Sequence, residues 1–108
     1  MSTQVFFNVV AEVGIWAGKR KWTRDPKLRP RWFCPEPRTD GCRIRIEVRP
    51  APVELIISAK RPLTTIEHAA RAKQGLPRLI GTWEPEFRTT DVDSIEKTLN
   101  REVKKLTV

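Results

Sequence analysis

The residue types in this chain that are best suited to recognition chemistry are arginine, lysine and tryptophan, and they are concentrated in one stretch. "GKRKWTRDPKLRPRWF", residues 18–33, holds seven basic side chains, one aspartate and three aromatic rings. Like charges repel and exposed rings are unfavourable in water, so both residue types need a partner or a core. Phosphate backbones supply dense negative charge, and unpaired bases supply flat faces for aromatic stacking. The composition of this stretch therefore predicts contact with nucleic acid.

The basic side chains of this stretch are the predicted phosphate contacts. They are Lys19, Arg20, Lys21, Arg24, Lys27, Arg29 and Arg31. Arginine suits this role because its planar fork of donors matches phosphate geometry. Trp22, Trp32 and Phe33 are predicted to stack on bases or to wedge between them. If these rings instead fold back onto a sheet, the stretch is a structural arm and only the arginines remain as candidate contacts.

A second basic group lies in "RIRIEVR", residues 43–49, where apolar and charged residues alternate. This alternation is typical of a half-buried strand. The apolar face consists of Ile44, Ile46 and Val48. The other face carries Arg43, Arg45 and Arg49, with Glu47 among them weakening the local positive field. If helices cover the apolar face, these three arginines extend the nucleic-acid surface across the sheet.

The net charge of +8 in 108 residues is distributed unevenly. Residues 19–49 hold eleven basic and four acidic side chains, a net charge of +7, whereas residues 1–18 sum to −1 and residues 50–108 to +2. Charge of this kind also suits an acidic protein surface, and the rings of "WEPEF", residues 83–87, suit protein docking. The alternative prediction is therefore a small interaction or inhibitor module that docks on an acidic partner protein. The choice between DNA and RNA stays open, because nothing marks a 2′-hydroxyl contact.

Catalytic and metal-binding patterns find little support in the sequence. Glu67 and the single histidine, His68, are adjacent in a predicted helix, where neighbouring residues point about 100° apart, so they do not form a dyad. Cys34 and Cys42 are separated by seven residues, which is outside the usual zinc spacing. We expect free thiols, with a disulfide across the turn between them as the alternative. The prediction is a non-enzymatic protein without a metal or a cofactor.

The elements that position these residues begin with a predicted strand over residues 5–13, whose apolar residues alternate. A basic, proline-rich loop of about residues 18–42 follows, in which four prolines exclude helix and central strand alike. This loop is expected to be poorly packed in the free protein and to become ordered on a polyanion. Residues 43–49 and 53–59 then form two strands joined by a connection wider than two residues.

Two helices and one more strand complete the predicted order. Thr64 and Glu67 form a capping box, and Gly75 ends that helix. Residues 78–83 suit a short strand. The last helix begins near residues 90–91 and carries an apolar stripe at helical spacing. The stripe consists of Val92, Ile95, Leu99, Val103 and Leu106. Trp16 and Trp83 are expected to pack in the core or at its rim.

These elements predict one α+β domain spanning residues 1–108. The expected order is strand, long basic loop, strand, strand, helix, strand, helix, with a small, mostly antiparallel sheet and both helices packed on one of its faces. No stretch approaches the roughly 20 apolar residues of a membrane-spanning helix, and the first residues lack the basic lead of a secretory signal. The prediction is therefore a cytoplasmic protein without a membrane partner.

Overall fold

A computed structural model describes residues 2–27, 29–35, 43–76 and 81–107 of the chain. Its elements are helix α1 (Ser2–Lys19), strands β1 (Thr23–Arg24), β2 (Arg31–Phe33), β3 (Arg43–Arg49) and β4 (Glu54–Pro62), helix α2 (Thr65–Lys73), strand β5 (Gly81–Thr89) and helix α3 (Ile95–Thr107). Each strand pairs antiparallel with the next one in sequence, so the sheet order is β1-β2-β3-β4-β5. The predicted α+β class and antiparallel sheet are confirmed.

The first element is a helix, and the prediction of a strand over residues 5–13 is wrong. Val9, Val13 and Trp16 follow one another at steps of four and three and are all buried. Apolar residues occur on both sides of this segment, so its sequence satisfies a helical period as well as a two-residue period. Packing against β3 and α3 selects the helix, because it places the residues at helical spacing in the core.

The hydrophobic core lies between the sheet and the helices α1 and α3. The alternation predicted for residues 43–49 is confirmed in β3, since Ile44, Ile46 and Val48 are buried on this core face. β4 continues the face with Leu55, Ile57 and Ala59. The predicted stripe of the last helix is confirmed from Ile95 onward. Because α3 begins at Ile95, later than expected, Val92 lies before the helix, where it still packs against the core.

Helix α2 has the predicted caps but not the predicted packing. The Thr64 hydroxyl accepts a hydrogen bond from the Glu67 amide at 3.2 Å, and the Glu67 carboxylate accepts one from the Thr64 amide at 3.0 Å. Gly75 has a φ of +71°, as expected of a residue that ends a helix. No residue of α2 is buried, because its one large apolar side chain, Ile66, points into solvent. Two helices do cover one face of the sheet, but they are α1 and α3.

The basic segment of residues 18–42 is not one continuous loop. Its start belongs to α1, and it contains β1 and β2, which pair with each other. β2 lies between β1 and β3, so the prediction that the prolines exclude a central strand is wrong. Pro26, Pro30 and Pro35 flank these short strands and remove no donor from the ladder. Residues 36–42 of the predicted loop lie outside the described residues.

The two remaining connections follow the sequence-based expectation in part. Residues 50–53 join β3 to β4, and Arg49 pairs with Glu54, so the turn is wider than two residues as predicted. The strand expected over residues 78–83 is observed as β5, which begins at Gly81 and continues to Thr89. Its predicted first residues lie in the range 77–80, which the structure does not describe.

Candidate nucleic-acid interface

The two faces of the sheet differ in their cover. Of the described helices, α1 and α3 pack on the core face and α2 has no buried residue, so none of the three is packed on the opposite face. We call this opposite side the open face because no described helix packs on it, although three of its residues, Glu47, Ile56 and Ser58, are themselves buried. Because side chains alternate along a strand, the register of the ladders defines its members. They are Arg31 and Phe33 on β2, Arg43, Arg45, Glu47 and Arg49 on β3, Glu54, Ile56, Ser58 and Lys60 on β4, and Trp83, Pro85 and Arg88 on β5.

The open face is strongly basic. Among its described residues are six cations and two carboxylates, and the cations come from four neighbouring strands. Four of the six were predicted as contacts from the sequence, and the structure brings them together here. These four are Arg31, Arg43, Arg45 and Arg49. Lys60 and Arg88 are the two cations that the sequence-based prediction missed.

A β-bulge in β5 explains why Arg88 could not be assigned to this face. The register changes from Ile57 opposite Phe87 to Ser58 opposite Pro85, so Glu86 is an extra residue. A strict two-residue period would place Arg88 on the face opposite to Trp83. The bulge shifts that phase by one and brings both side chains to the open face. Lys60 could have been assigned to the open face from the sequence, because it follows the inward residues Leu55, Ile57 and Ala59 in the alternating pattern of β4.

Glu47 organises the arginines around it. It is only 4 % exposed, and each of its carboxylate oxygens accepts a hydrogen bond. Arg31 Nε donates to Oε2, and Arg49 Nε donates to Oε1 at 3.0 Å. Burial alone would raise the pKa of Glu47, but the hydrogen bonds and charges of Arg31 and Arg49 outweigh it, so the pKa lies below its ordinary value. The carboxylate is therefore ionised, and the adjacent Arg31 and Arg49 balance its charge. An approaching ligand meets the guanidinium groups.

An aromatic pair lies in the middle of this basic surface. Phe33 and Trp83 are both half-buried, and their ring centroids are 5.9 Å apart at an interplanar angle of 53°. The guanidinium carbon of Arg45 lies 4.5 Å from the centroid of Trp83, and Lys60 Nζ lies 5.8 Å from it. Such cation–π contacts hold the indole ring in a fixed orientation.

Arg45 has a buried nitrogen atom, Nε, without a hydrogen-bond partner within the described part of the chain. Burial lowers the pKa of Arg45, Glu47 acts in the opposite direction, and the charges of Arg31 and Arg49 lower it further. The cluster thus holds more positive charge than Glu47 compensates, which is the electrostatic condition for binding an anion.

The predicted role of Trp32 in stacking is wrong. Trp32 is 3 % exposed, because its position in the three-residue strand β2 turns the side chain towards the core face, while Phe33 points to the open face. Trp22 is half-buried and packs edge-on against Trp16, with 5.3 Å between ring centroids. Of the three rings proposed from the sequence, only Phe33 lies on the open face. Trp83, expected at the rim of the core, is its partner there.

The remaining basic residues of the predicted site lie elsewhere on the molecule. Arg20 connects the end of α1 to α3, since it donates to the Trp16 carbonyl at 3.0 Å and to Asn100 Oδ1 at 2.9 Å. Arg24 pairs in register with Trp32, and its guanidinium lies 5.3 Å from that ring, on the core face. The others are exposed near the end of α1 and in the connection between β1 and β2. They are Lys19, Lys21, Lys27 and Arg29. The structure therefore divides the predicted site into two basic groups.

Two other features of the molecule, a cleft and a thiol, are less suited to binding a charged ligand. A cleft of about 460 Å³ lies between α1 and α3, but its charged lining is balanced. The lining contains Glu12, Asp93 and Glu96 as well as Lys19, Arg20 and Lys97. Cys34 is a half-buried free thiol, whereas Cys42 lies outside the described residues. In the ranges that the structure covers, His, Cys, Asp and Glu form no group of three or more that could hold a metal ion.

The geometry of the open face is the main basis for assigning a role to this chain. Compared with models of protein families, with curated proteins and with solved structures, the chain matches none of them. Over the described residues, no helix combines the length and the apolar character needed to cross a membrane.

Proposed function

We propose that this protein binds nucleic acid, without catalysis, on the open face of its sheet. The observation that supports this best is the placement of six cations around the Phe33–Trp83 pair. Cations alone suit any polyanion, and rings alone suit many apolar partners. The combination suits a ligand that carries both phosphates and aromatic bases.

The dimensions of the surface suit a chain of several phosphates. Arg43 and Arg49 are six residues apart on β3, which corresponds to about 20 Å at the usual rise of a strand. Lys60 and Arg88 extend the surface across β4 and β5. Each phosphate that these cations neutralise releases condensed counterions, and this release drives association.

An acidic protein partner is the competing occupant of the same surface. Its carboxylates could pair with the arginines, but a carboxylate has no flat apolar face, so other side chains of the partner would have to contact the Phe33–Trp83 pair. Nucleic acid uses both parts of the surface, and for that reason it is the function we favour. The two occupants give opposite outcomes in one binding experiment.

The experiment measures fluorescence anisotropy of labelled 20-nucleotide DNA and RNA, with labelled polyglutamate of similar charge as the acidic protein analogue. The test variant is Arg43→Ala/Arg88→Ala, which leaves the ion pairs of Glu47 intact. The matched control is Lys97→Ala/Arg101→Ala, which removes the same charge from α3 on the other side of the sheet. We expect the test variant to bind nucleic acid at least about 10-fold more weakly at 50 mM salt and the control to stay within about 2-fold.

Polyglutamate should bind far more weakly than either nucleic acid. Tight binding of polyglutamate with no binding of DNA or RNA would reject the proposal in favour of the acidic partner. Equal losses in the two double variants would mean that net charge, not the open face, provides the contact.

A further inference from the structure

We infer that the open face selects single-stranded nucleic acid, whose bases stack on the Phe33–Trp83 pair. This inference rests on the proposed function and narrows it to one class of ligand. It follows from the placement of the rings on the open face, from the width of the sheet, and from the low net charge of helix α2.

The rings lie in the centre of the basic surface. Phe33 extends from β2 and Trp83 from β5, so the pair meets above the two strands between them, β3 and β4. A duplex hides the flat faces of its bases within its own stack and presents phosphates and base edges. Against a duplex, the central rings would lose water without gaining a stacking partner. A single strand exposes its base faces and can use them.

The width of the sheet also disfavours a duplex groove. Five strands at about 4.8 Å spacing make a surface about 19 Å wide, whereas the major groove of B-DNA is about 12 Å wide. A helix or a two-stranded ribbon enters that groove, but a sheet of this width does not. The open face can therefore lie against a duplex only along its outer phosphates, and the rings would remain unused.

Helix α2 is the one described helix without a buried residue, and its net charge is low. Its nine residues include Arg71 and Lys73, but also Glu67, which is occupied in the capping box. The open face carries six basic side chains, whereas α2 carries two.

Arg45 keeps the ring pair ready for a ligand. It is next to Phe33 in the register of β2 and β3, and its guanidinium lies against Trp83. A base that stacks on the exposed side of either ring meets a surface already fixed in place, so little ordering entropy is lost on binding. The phosphates on both sides of that base can reach Arg43, Lys60 or Arg49.

The test compares four 12-nucleotide probes at one salt concentration: a DNA strand, the RNA strand of the same sequence, the DNA duplex, and a DNA strand in which four central nucleotides are abasic. The abasic strand keeps all its phosphates and lacks only bases. The test variants are Phe33→Leu and Trp83→Leu, which keep an apolar side chain but remove the ring. Phe7→Leu is the matched control, because Phe7 is 59 % exposed on α1, away from the open face.

We expect the intact single strand to bind at least about 10-fold more tightly than the duplex. The abasic strand should bind roughly 5- to 150-fold more weakly than the intact strand, which is the range that corresponds to the loss of one stacked base. Trp83→Leu should bind the intact strand with nearly the same affinity as the abasic strand, whereas Phe7→Leu should preserve the difference in affinity between them. Thermal unfolding of each variant verifies that it is folded.

If the duplex binds as tightly as the single strand and abasic nucleotides have no effect, the inference is rejected while nucleic-acid binding stands. Failure of all four probes to bind rejects the proposed function itself.

Discussion

Glu47 determines how the arginines of the open face are held. With its two oxygens bonded to Arg31 and Arg49, it fixes guanidinium groups that would otherwise repel one another. Because the carboxylate itself is buried, its two charge-assisted bonds are worth more than a fully exposed ion pair, although the Arg49 side chain is half exposed. Glu47 thus has a structural role, in which an acid keeps cations in place on the proposed binding surface.

Replacing Glu47 by glutamine should destabilise the protein by about 1–3 kcal/mol at neutral pH, the usual cost of losing a hydrogen-bonded buried charge. The folded state lowers the pKa of Glu47, so its contribution is present above the unfolded pKa of about 4.3 and disappears as the pH falls through the lower folded value. Urea unfolding at pH 7, 4 and 3 should show the wild type and Glu47→Gln converging in acid. A difference in stability that stays constant down to pH 3 would contradict the assigned ionisation.

Trp32 shows why residue type alone does not predict which face of the sheet a side chain occupies. A tryptophan within a basic, proline-rich stretch is typical of a ligand contact, and a strand of three residues is too short for a periodic pattern to reveal its inward side. Pairing with β3 decides the matter, because Trp32 lies opposite the buried Ile46. Its neighbour Phe33 takes the outward position for the same reason.

Helix α2 is held by its caps and not by a core. Nine residues are too few for a stable isolated helix, and none of them is buried. The capping box between Thr64 and Glu67 therefore fixes where the helix begins, and the left-handed Gly75 fixes where it ends.

Thr64→Ala should weaken α2 locally and leave the rest of the fold unchanged. Loss of this cap costs about 1 kcal/mol, so amide protection in residues 68–73 should fall roughly 5-fold. The global unfolding midpoint should move by less than its experimental error, because the core does not include α2. Native-state hydrogen exchange measures both quantities, and Thr65→Ala, one residue further on, serves as the control. A shift of the global midpoint would show that α2 contributes to the core after all.

The elements divide into those that sequence patterns can predict and those that need tertiary contacts. β3 and α3 were predictable, because their apolar residues follow one period and no other. α1 was not, because the segment is apolar on both sides and a two-residue period fits it equally well. The open face was predicted for β3 but not for β5, where the bulge at Glu86 shifts the alternation. Periodicity reveals an element only when one side of it is polar and its phase is unbroken.

In the whole molecule, the two faces of one sheet have different roles. One face builds the core with α1 and α3, and the other carries the cations and the ring pair. Substitution of an exposed residue of the open face, such as Arg43, should therefore have little effect on the core.

The affinity for single strands should depend steeply on salt. If about four to six of the cations on the open face contact phosphates, the slope of about 0.7 per contact predicts a roughly 50- to 300-fold loss between 50 and 200 mM salt. Titrations at several salt concentrations give this slope directly. Trp83→Leu should leave the slope nearly unchanged, since stacking releases few ions. A flat salt response would contradict the electrostatic part of the proposal.

The position of α3 in the chain has a consequence for biosynthesis. All five strands that the structure describes precede it, yet Ile95, Leu99 and Val103 supply part of the cover over the buried residues of β3 and β4. At roughly 5–20 residues per second, the ribosome adds α3 several seconds after β4 is complete. During that interval the nascent sheet has only α1 on its apolar side, and uncovered apolar sheet surface favours aggregation. Translation that stops before Ile95 would therefore release a polypeptide suited to capture by chaperones or to degradation, even though it contains every strand of the fold.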